Sequence, residues 1–199
     1  MRTHPLIFLV AAMLVVDPAR AAADPMSNGD RQRLVAHLEM TEAWLMSELD
    51  GLSETQLTWR PSPEAWSVKD VVEHLGIAEP QYWNQLQNSL KAAASGYKPE
   101  ATDAAILWYG IDRTNRTRTG EARVPDGRFK DSAAALSSFR KLRSTMLEQA
   151  RTSQEDYRGR KLTDGNMDVY QWFLMISSHS QRHILQIREV KGAQGFPKR

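Results

Sequence analysis

The sequence contains no cysteine, and this absence removes disulfides, thiolate metal ligands and a cysteine nucleophile together. Any metal ion must therefore be held by His, Asp or Glu. A surplus of one charge is missing as well, since 26 Lys and Arg stand against 24 Asp and Glu. Nothing in that balance resembles the concentrated basic footprint with which nucleic-acid binders meet phosphate, so nucleic acid is set aside as a partner. Long apolar runs are lacking too. The run from Leu6 to Val16 falls far short of the roughly 20 residues that a membrane-spanning helix requires. No later segment is both long enough and free of charge, which predicts no membrane span.

That short run lies within "MRTHPLIFLVAAMLVVDPARAAADP", between a basic start at Arg2 and the small residues Ala19, Ala21, Ala22 and Ala23. The arrangement reads as a signal peptide over residues 1–23, with cleavage before Ala22 or Asp24. The mature protein is then exported, periplasmic or secreted. Of 199 residues, 41% are hydrophobic, enough for a real core, and residues 24–199 are expected to form one domain.

The remaining pattern is helical. From Ser27, Leu34, Leu38, Leu45, Leu49 and Leu52 recur on one face. "TWRPSPEAW" breaks that helix, because proline lacks the amide hydrogen and biases the residue before it toward extended backbone. "WSVKDVVEHL" then opens a second helix: Ser67 can cap it, Asp70 complements the free amides of its first turn, and Trp66 can staple onto Val71. It runs toward Lys91, with a kink or break expected at Pro80. Residues 101–117 read as a third helix, followed by the exposed loop "TGEARVPDGRFKD". Asp131 caps a fourth helix carrying Leu136, Phe139, Leu142, Met146 and Leu147 on one side, and a last helix spans about Asp168 to Lys191 with Gly192 as stop residue. No segment alternates convincingly, so the fold class is all-α: a bundle of four main helices plus a shorter fifth piece.

Three histidines stand out against this frame. On the last helix, Trp172, Ile176, His179, His183 and Val190 share a stripe; on the second, Val71, His74, Leu75 and Ala78 do. Three inward-facing imidazoles need partners, and a divalent transition metal supplies one, because neutral imidazole nitrogen is a good ligand. The alternative is a set of core histidines hydrogen-bonded to backbone carbonyls or to serines such as Ser177 and Ser178. His4 lies in the removable segment, and His37, between the polar and apolar sides of its helix, reads as a surface residue.

"WRPSPEAWSVKDVVEHL" together with a late "HSQRHILQI" resembles the DinB/YfiT-like superfamily, in which a tryptophan-serine helix start leads to one histidine and a terminal helix carries H-x-x-x-H followed by glutamine. The resemblance implies a four-helix bundle and a divalent metal, commonly zinc or nickel, held by His74, His179 and His183. It also implies a small-molecule substrate, with relatives that use low-molecular-weight thiols such as bacillithiol or mycothiol as transferases or isomerases. Export argues against a reduced thiol cosubstrate. The resulting expectation is an exported metal-dependent enzyme, a thiol-dependent transferase or a hydrolase. Its rivals are a binding protein without turnover and a structural metal tying two helices. A homodimer stays open, and no carboxylate stands at a spacing that nominates a general base.

Other marked residues have simpler readings. Tyr82 could reach a ligand on the metal but is expected to close the bundle end, the tryptophans at 44, 59, 83, 108 and 172 to serve as core and staple, and the cluster Arg113, Arg116, Arg118, Arg123, Arg128 and Lys130, which could steer an anionic substrate, to form a solvated charged face. Residues 115–117 match a glycosylation triplet, a frequent chance match. One prediction follows from the leader: expressed with it, the protein accumulates outside the cytoplasm and begins at Ala22 or Asp24 by intact-mass analysis, whereas Met1 retained on cytoplasmic protein would refute the assignment.

Overall fold

The structure is a computed structural model, and it describes residues 26–116, 118–163 and 165–198. The proposed leader over residues 1–23 lies outside them, as does Thr117 of the glycosylation triplet. Among the described residues the chain forms six α-helices: α1 (Asn28–Leu49), α2 (Glu54–Thr58), α3 (Val68–Leu90), α4 (Asp103–Ile111), α5 (Ser132–Thr152) and α6 (Val169–Gly192). A single 3-10 turn, Glu121–Arg123, lies between α4 and α5. The four long helices close a ring in which α1 touches α6, α6 touches α3, α3 touches α5 and α5 returns to α1; α4 lies against α6.

Local chemistry starts these helices where capping residues stand. Ser27, Ser67, Asp131 and Asp168 each accept from an amide of the first turn, and at Ser67 the Asp70 carboxylate returns the bond to the Ser67 amide at 2.6 Å. α1 stops at Leu49, ahead of Gly51, whose φ of 65° is costly for residues with a Cβ; Leu52, expected on the helix, lies beyond it. The connector holds an element that its prolines obscured. Ser53 and Gln56 form a capping box that opens the short α2.

The break that Pro80 could have caused is absent from α3, and α4 differs in length from expectation. α3 runs unbroken through Pro80, because Glu79 on one side and Trp83 and Leu86 on the other are packed into the interior, and that packing outweighs one missing backbone bond. α4 is shorter than residues 101–117. Thr102 caps it, and past Ile111 the Asp112 carboxylate takes the Thr114 amide at 2.9 Å, turning the chain out of helix. The Arg182 guanidinium then collects the carbonyls of Tyr109, Asp112 and Asn115, which a continuing helix would have used itself. α4 sits so close to α6 that a Cβ on Gly110 would meet the Ser178 carbonyl oxygen at 2.8 Å, which is why no larger residue fits there.

The core is divided in two. One apolar cluster contains Leu34, Leu38, Leu86, Met146, Phe173 and Leu174; the other contains Leu45, Val71, Leu75, Phe139, Ile184 and Ile187. Between them on every long helix stands a buried polar residue: Thr41 on α1, Glu79 on α3, Arg143 on α5, Ser177 and Ser180 on α6. Arg143 donates to Glu79 Oε1 and to Ser180 Oγ, both at 2.7 Å, while Ser180 also donates to Glu79. Ser177 and Thr41 are 2.9 Å apart and link α6 to α1.

A pair with both side chains at 0% exposure is bound by its partner more than by solvent. Glu79→Leu alone should cost about 3–5 kcal/mol, because it strands the Arg143 charge, whereas Glu79→Leu with Arg143→Met should recover most of that loss. Urea denaturation of the two variants checks this. A double variant no more stable than the single one would show that the charges do not depend on each other.

Candidate metal centre

His74 reaches the centre from the second turn of α3, and His179 and His183 from successive turns of α6. His179 Nε2 lies 3.3 Å from His74 Nε2 and 3.1 Å from His183 Nε2. A tetrahedral ion with nitrogen ligands at about 2.0–2.1 Å holds neighbouring nitrogens about 3.3–3.4 Å apart, so the spacing suits one ion. Among the described residues these three form the group able to hold a metal, and no carboxylate joins them.

The outer nitrogens fix which way the lone pairs point. His74 Nδ1 donates to the Arg123 carbonyl at 2.7 Å, and His183 Nδ1 donates to Gln186 Oε1 at 2.8 Å. Since each neutral ring carries one proton, both Nε2 atoms present lone pairs inward. His179 Nδ1 is buried without a partner. Such converging acceptors are unfavourable alone and become favourable around a cation.

Electrostatics reinforce the neutral state. Burial, then the neighbouring imidazoles and the charges of Arg123 and Arg182, hold His179 well below the ordinary imidazole value of 6.5. Burial and the charge of His74 do the same to His183, and burial followed by the Arg123 charge lowers His74. Neutral imidazole is the form that binds a metal.

Aromatic rings wall the centre. The Trp66 ring stacks 6.2 Å from that of His183 and lies 5.0 Å from that of His74, and the Tyr82 ring meets His179 edge to face at 5.1 Å. The loop between α4 and α5 is pinned against α3 by two adjacent residues. Glu73, itself buried, accepts the amides of Gly127 and Arg128 at 2.8 and 3.0 Å, while His74 holds Arg123.

Each residue singled out from sequence has a definite place. His74, His179 and His183 come together; none of them bonds to Ser177 or Ser178, while His74 does bond to a backbone carbonyl, that of Arg123. His37 stays apart from them, yet it is half-buried instead of surface-exposed: its ring lies 2.8 Å from Ser177 Oγ and 3.2 Å from Gln181 Oε1. Burial, with the Arg143 charge, lowers its pKa too. Tyr82 stands beside the histidines instead of only closing a bundle end. Trp108 is not core, being 62% exposed. The basic cluster divides: Arg113 and Arg116 pair with Glu189 and Arg128 with Asp126, as a solvated face should, while Arg123 belongs to the centre. Glu73 and Arg123 carried no sequence signal for this role, because each acts across a long separation, whereas Trp66 was visible as the tryptophan of the helix-start motif and expected only to staple onto Val71. Gln186, three residues after His183, was visible as the glutamine closing the terminal motif.

Known proteins resemble this chain in sequence and in fold. YuaE of Bacillus subtilis (strain 168), an uncharacterized protein, is 26% identical over 153 residues, which cover 75% of this chain and 91% of that one. In fold, the chain is similar to YfiT from Bacillus subtilis, a probable metal-dependent hydrolase with an unusual four-helix bundle topology. The TM-score is 0.57 at 19% identity, over 86% of this chain and 91% of YfiT. The model of the DinB superfamily matches residues 31–187, the span that runs from α1 to the last turns of α6 and carries all three histidines, and the chain therefore belongs to that superfamily.

Proposed function

We propose that His74, His179 and His183 bind one divalent ion, zinc or nickel, and that the protein is an exported metal-dependent hydrolase acting on a small molecule. The observation that carries this reading is the convergence of the three Nε2 atoms, two of them presenting lone pairs inward, with no further His, Asp or Glu among the described residues to close the coordination sphere. Three ligands with an open position mark a site for chemistry, whereas structural sites are closed by four. The likeness of the fold to YfiT, itself a probable hydrolase, favours hydrolysis over thiol transfer, and so does an exported location poor in reduced thiols.

A bound ion would supply Lewis acidity and bring the pKa of a coordinated water down to about 7. The protein supplies everything else. Arg123 O and Gln186 Oε1 hold the His74 and His183 rings in the tautomer that faces inward, which also raises their basicity as ligands. Trp66 and Tyr82 line the centre with ring surface, and the lower dielectric of such surroundings strengthens each charge interaction there. Glu73 is engaged by loop amides and Glu79 by Arg143, so neither is placed as a free proton acceptor.

The purified mature protein should contain about one divalent ion per chain by inductively coupled plasma mass spectrometry. His74→Ala, His179→Ala and His183→Ala should each lose it, because two nitrogens grip weakly. His37→Ala should keep it. Full occupancy in His183→Ala would refute the assignment. With cobalt in the centre, a visible spectrum that responds to pH without thiol supports hydrolysis, and one that changes only on adding glutathione would favour thiol chemistry instead.

The lowered histidine pKa values predict the stability of the metal-free protein. In the unfolded chain these imidazoles take up protons near the ordinary 6.5, while in the folded chain they do so only at lower pH. Between those values the unfolded state binds more protons, so stability present above pH 6.5 is lost as the pH falls below it. Thermal melts of metal-free protein from pH 8 to pH 5 should show the midpoint dropping below about 6.5. A midpoint that rises on acidification would contradict buried neutral histidines.

A further inference from the structure

We infer that the substrate is an anion, held by two groups at once: one donor atom at the metal and a carboxylate or similar oxyanion on the Arg123 guanidinium. The inference deepens the metal-dependent reading above and rests on it.

Arg123 is unlike its basic neighbours. Its side chain forms no ion pair or hydrogen bond among the described residues, and its Nε is buried without a partner. The guanidinium lies over the Tyr82 ring, 5.4 Å from the centroid, and that ring in turn contacts His179. Arg113, by contrast, is used up by a two-point pair with Glu189, at 3.0 and 2.9 Å, and Arg182 by backbone carbonyls. The Arg123 main chain is fixed through its carbonyl to His74, so the loop cannot swing the side chain far from the centre.

Charge balance points the same way. Three neutral imidazoles leave a divalent ion uncompensated, and Arg123 adds a further positive charge. Three acids of the neighbouring elements are already engaged: Glu73 by amides, Glu79 by Arg143 and Glu189 by Arg113 and Arg116. A concentration of positive charge without a protein counter-charge is stabilised by an anionic ligand, and a free guanidinium edge matches a carboxylate at two points. A substrate with a single metal-binding group would leave the Arg123 guanidinium without a counter-charge.

The test uses cobalt-loaded protein and two kinds of small chelator. Acetohydroxamate addresses the metal alone; hydroxamates with a terminal carboxylate on chains of two, three and four carbons address the metal and reach outward. Binding is read from the cobalt spectrum. One of the carboxylates should bind more tightly than acetohydroxamate by roughly tenfold to a hundredfold. Arg123→Ala should abolish that preference and leave acetohydroxamate affinity unchanged, since the carbonyl that orients His74 is retained. Arg123→Lys should restore part of it, keeping charge but not the two-point geometry. Metal-loaded protein that shows no preference, or whose preference survives Arg123→Ala, overturns the inference while the metal centre stands. Protein that takes up no metal overturns both.

Discussion

A layer of buried polar side chains at mid-height of the bundle sets the register of everything around it. Apolar contacts alone tolerate sliding, because leucine packs against leucine in several offsets. A guanidinium bound to Glu79 and Ser180 at once allows only one alignment of α3, α5 and α6, and Ser177 with Thr41 and His37 fixes α1 on the other side. Buried polar groups add little net stability compared with apolar residues, but they penalise every other register. Six consecutive side chains of α6, Ser177 to Arg182, are buried polar residues pointing around the helix. His179 belongs to this run. The alignment that satisfies Ser180 against α3 is the alignment that brings His179 to His74.

The centre and the loop after α4 are built by adjacent residues. Glu73 holds the loop at Gly127 and Arg128, and His74 holds it at Arg123, so a turn of α3 buried by the loop is also the turn that delivers a proposed ligand. The loop shows little regular structure of its own and is positioned mainly by these side-chain bonds. Its geometry is thereby tied to a rigid helix, which is how a connecting segment can face a reactive centre without excessive motion.

What was legible in the sequence follows the range of the interactions. Helix starts at Ser67, Asp131 and Asp168 depend on three or four neighbouring residues and were readable, as was the inward stripe that joins His179 to His183. The bundle and the family could be named from those features. Elements shaped by distant partners were not readable: α4 ends early because Arg182, some seventy residues on, takes its carbonyls, and α3 survives Pro80 because the core holds both flanks. His37 was misread as a surface residue for the same reason, since its partners Ser177 and Gln181 lie on α6. α2 failed on length, five residues being too few to show a period, although its Ser53–Gln56 box was present.

Arg123 joins two tasks in one residue, its carbonyl orienting His74 and its guanidinium lying over the Tyr82 ring beside the centre. If the proposed ion and anion bind as inferred, such a residue would make them cooperative ligands of each other. Any free energy that a bound anion spends on ordering Arg123 also orders the imidazole behind it, and reciprocity then requires the ion to strengthen the anion by the same factor. On the proposed reading the loop would act as a thermodynamic coupler: removal of the ion would weaken an anionic substrate twice, once at the coordination position and once at the arginine.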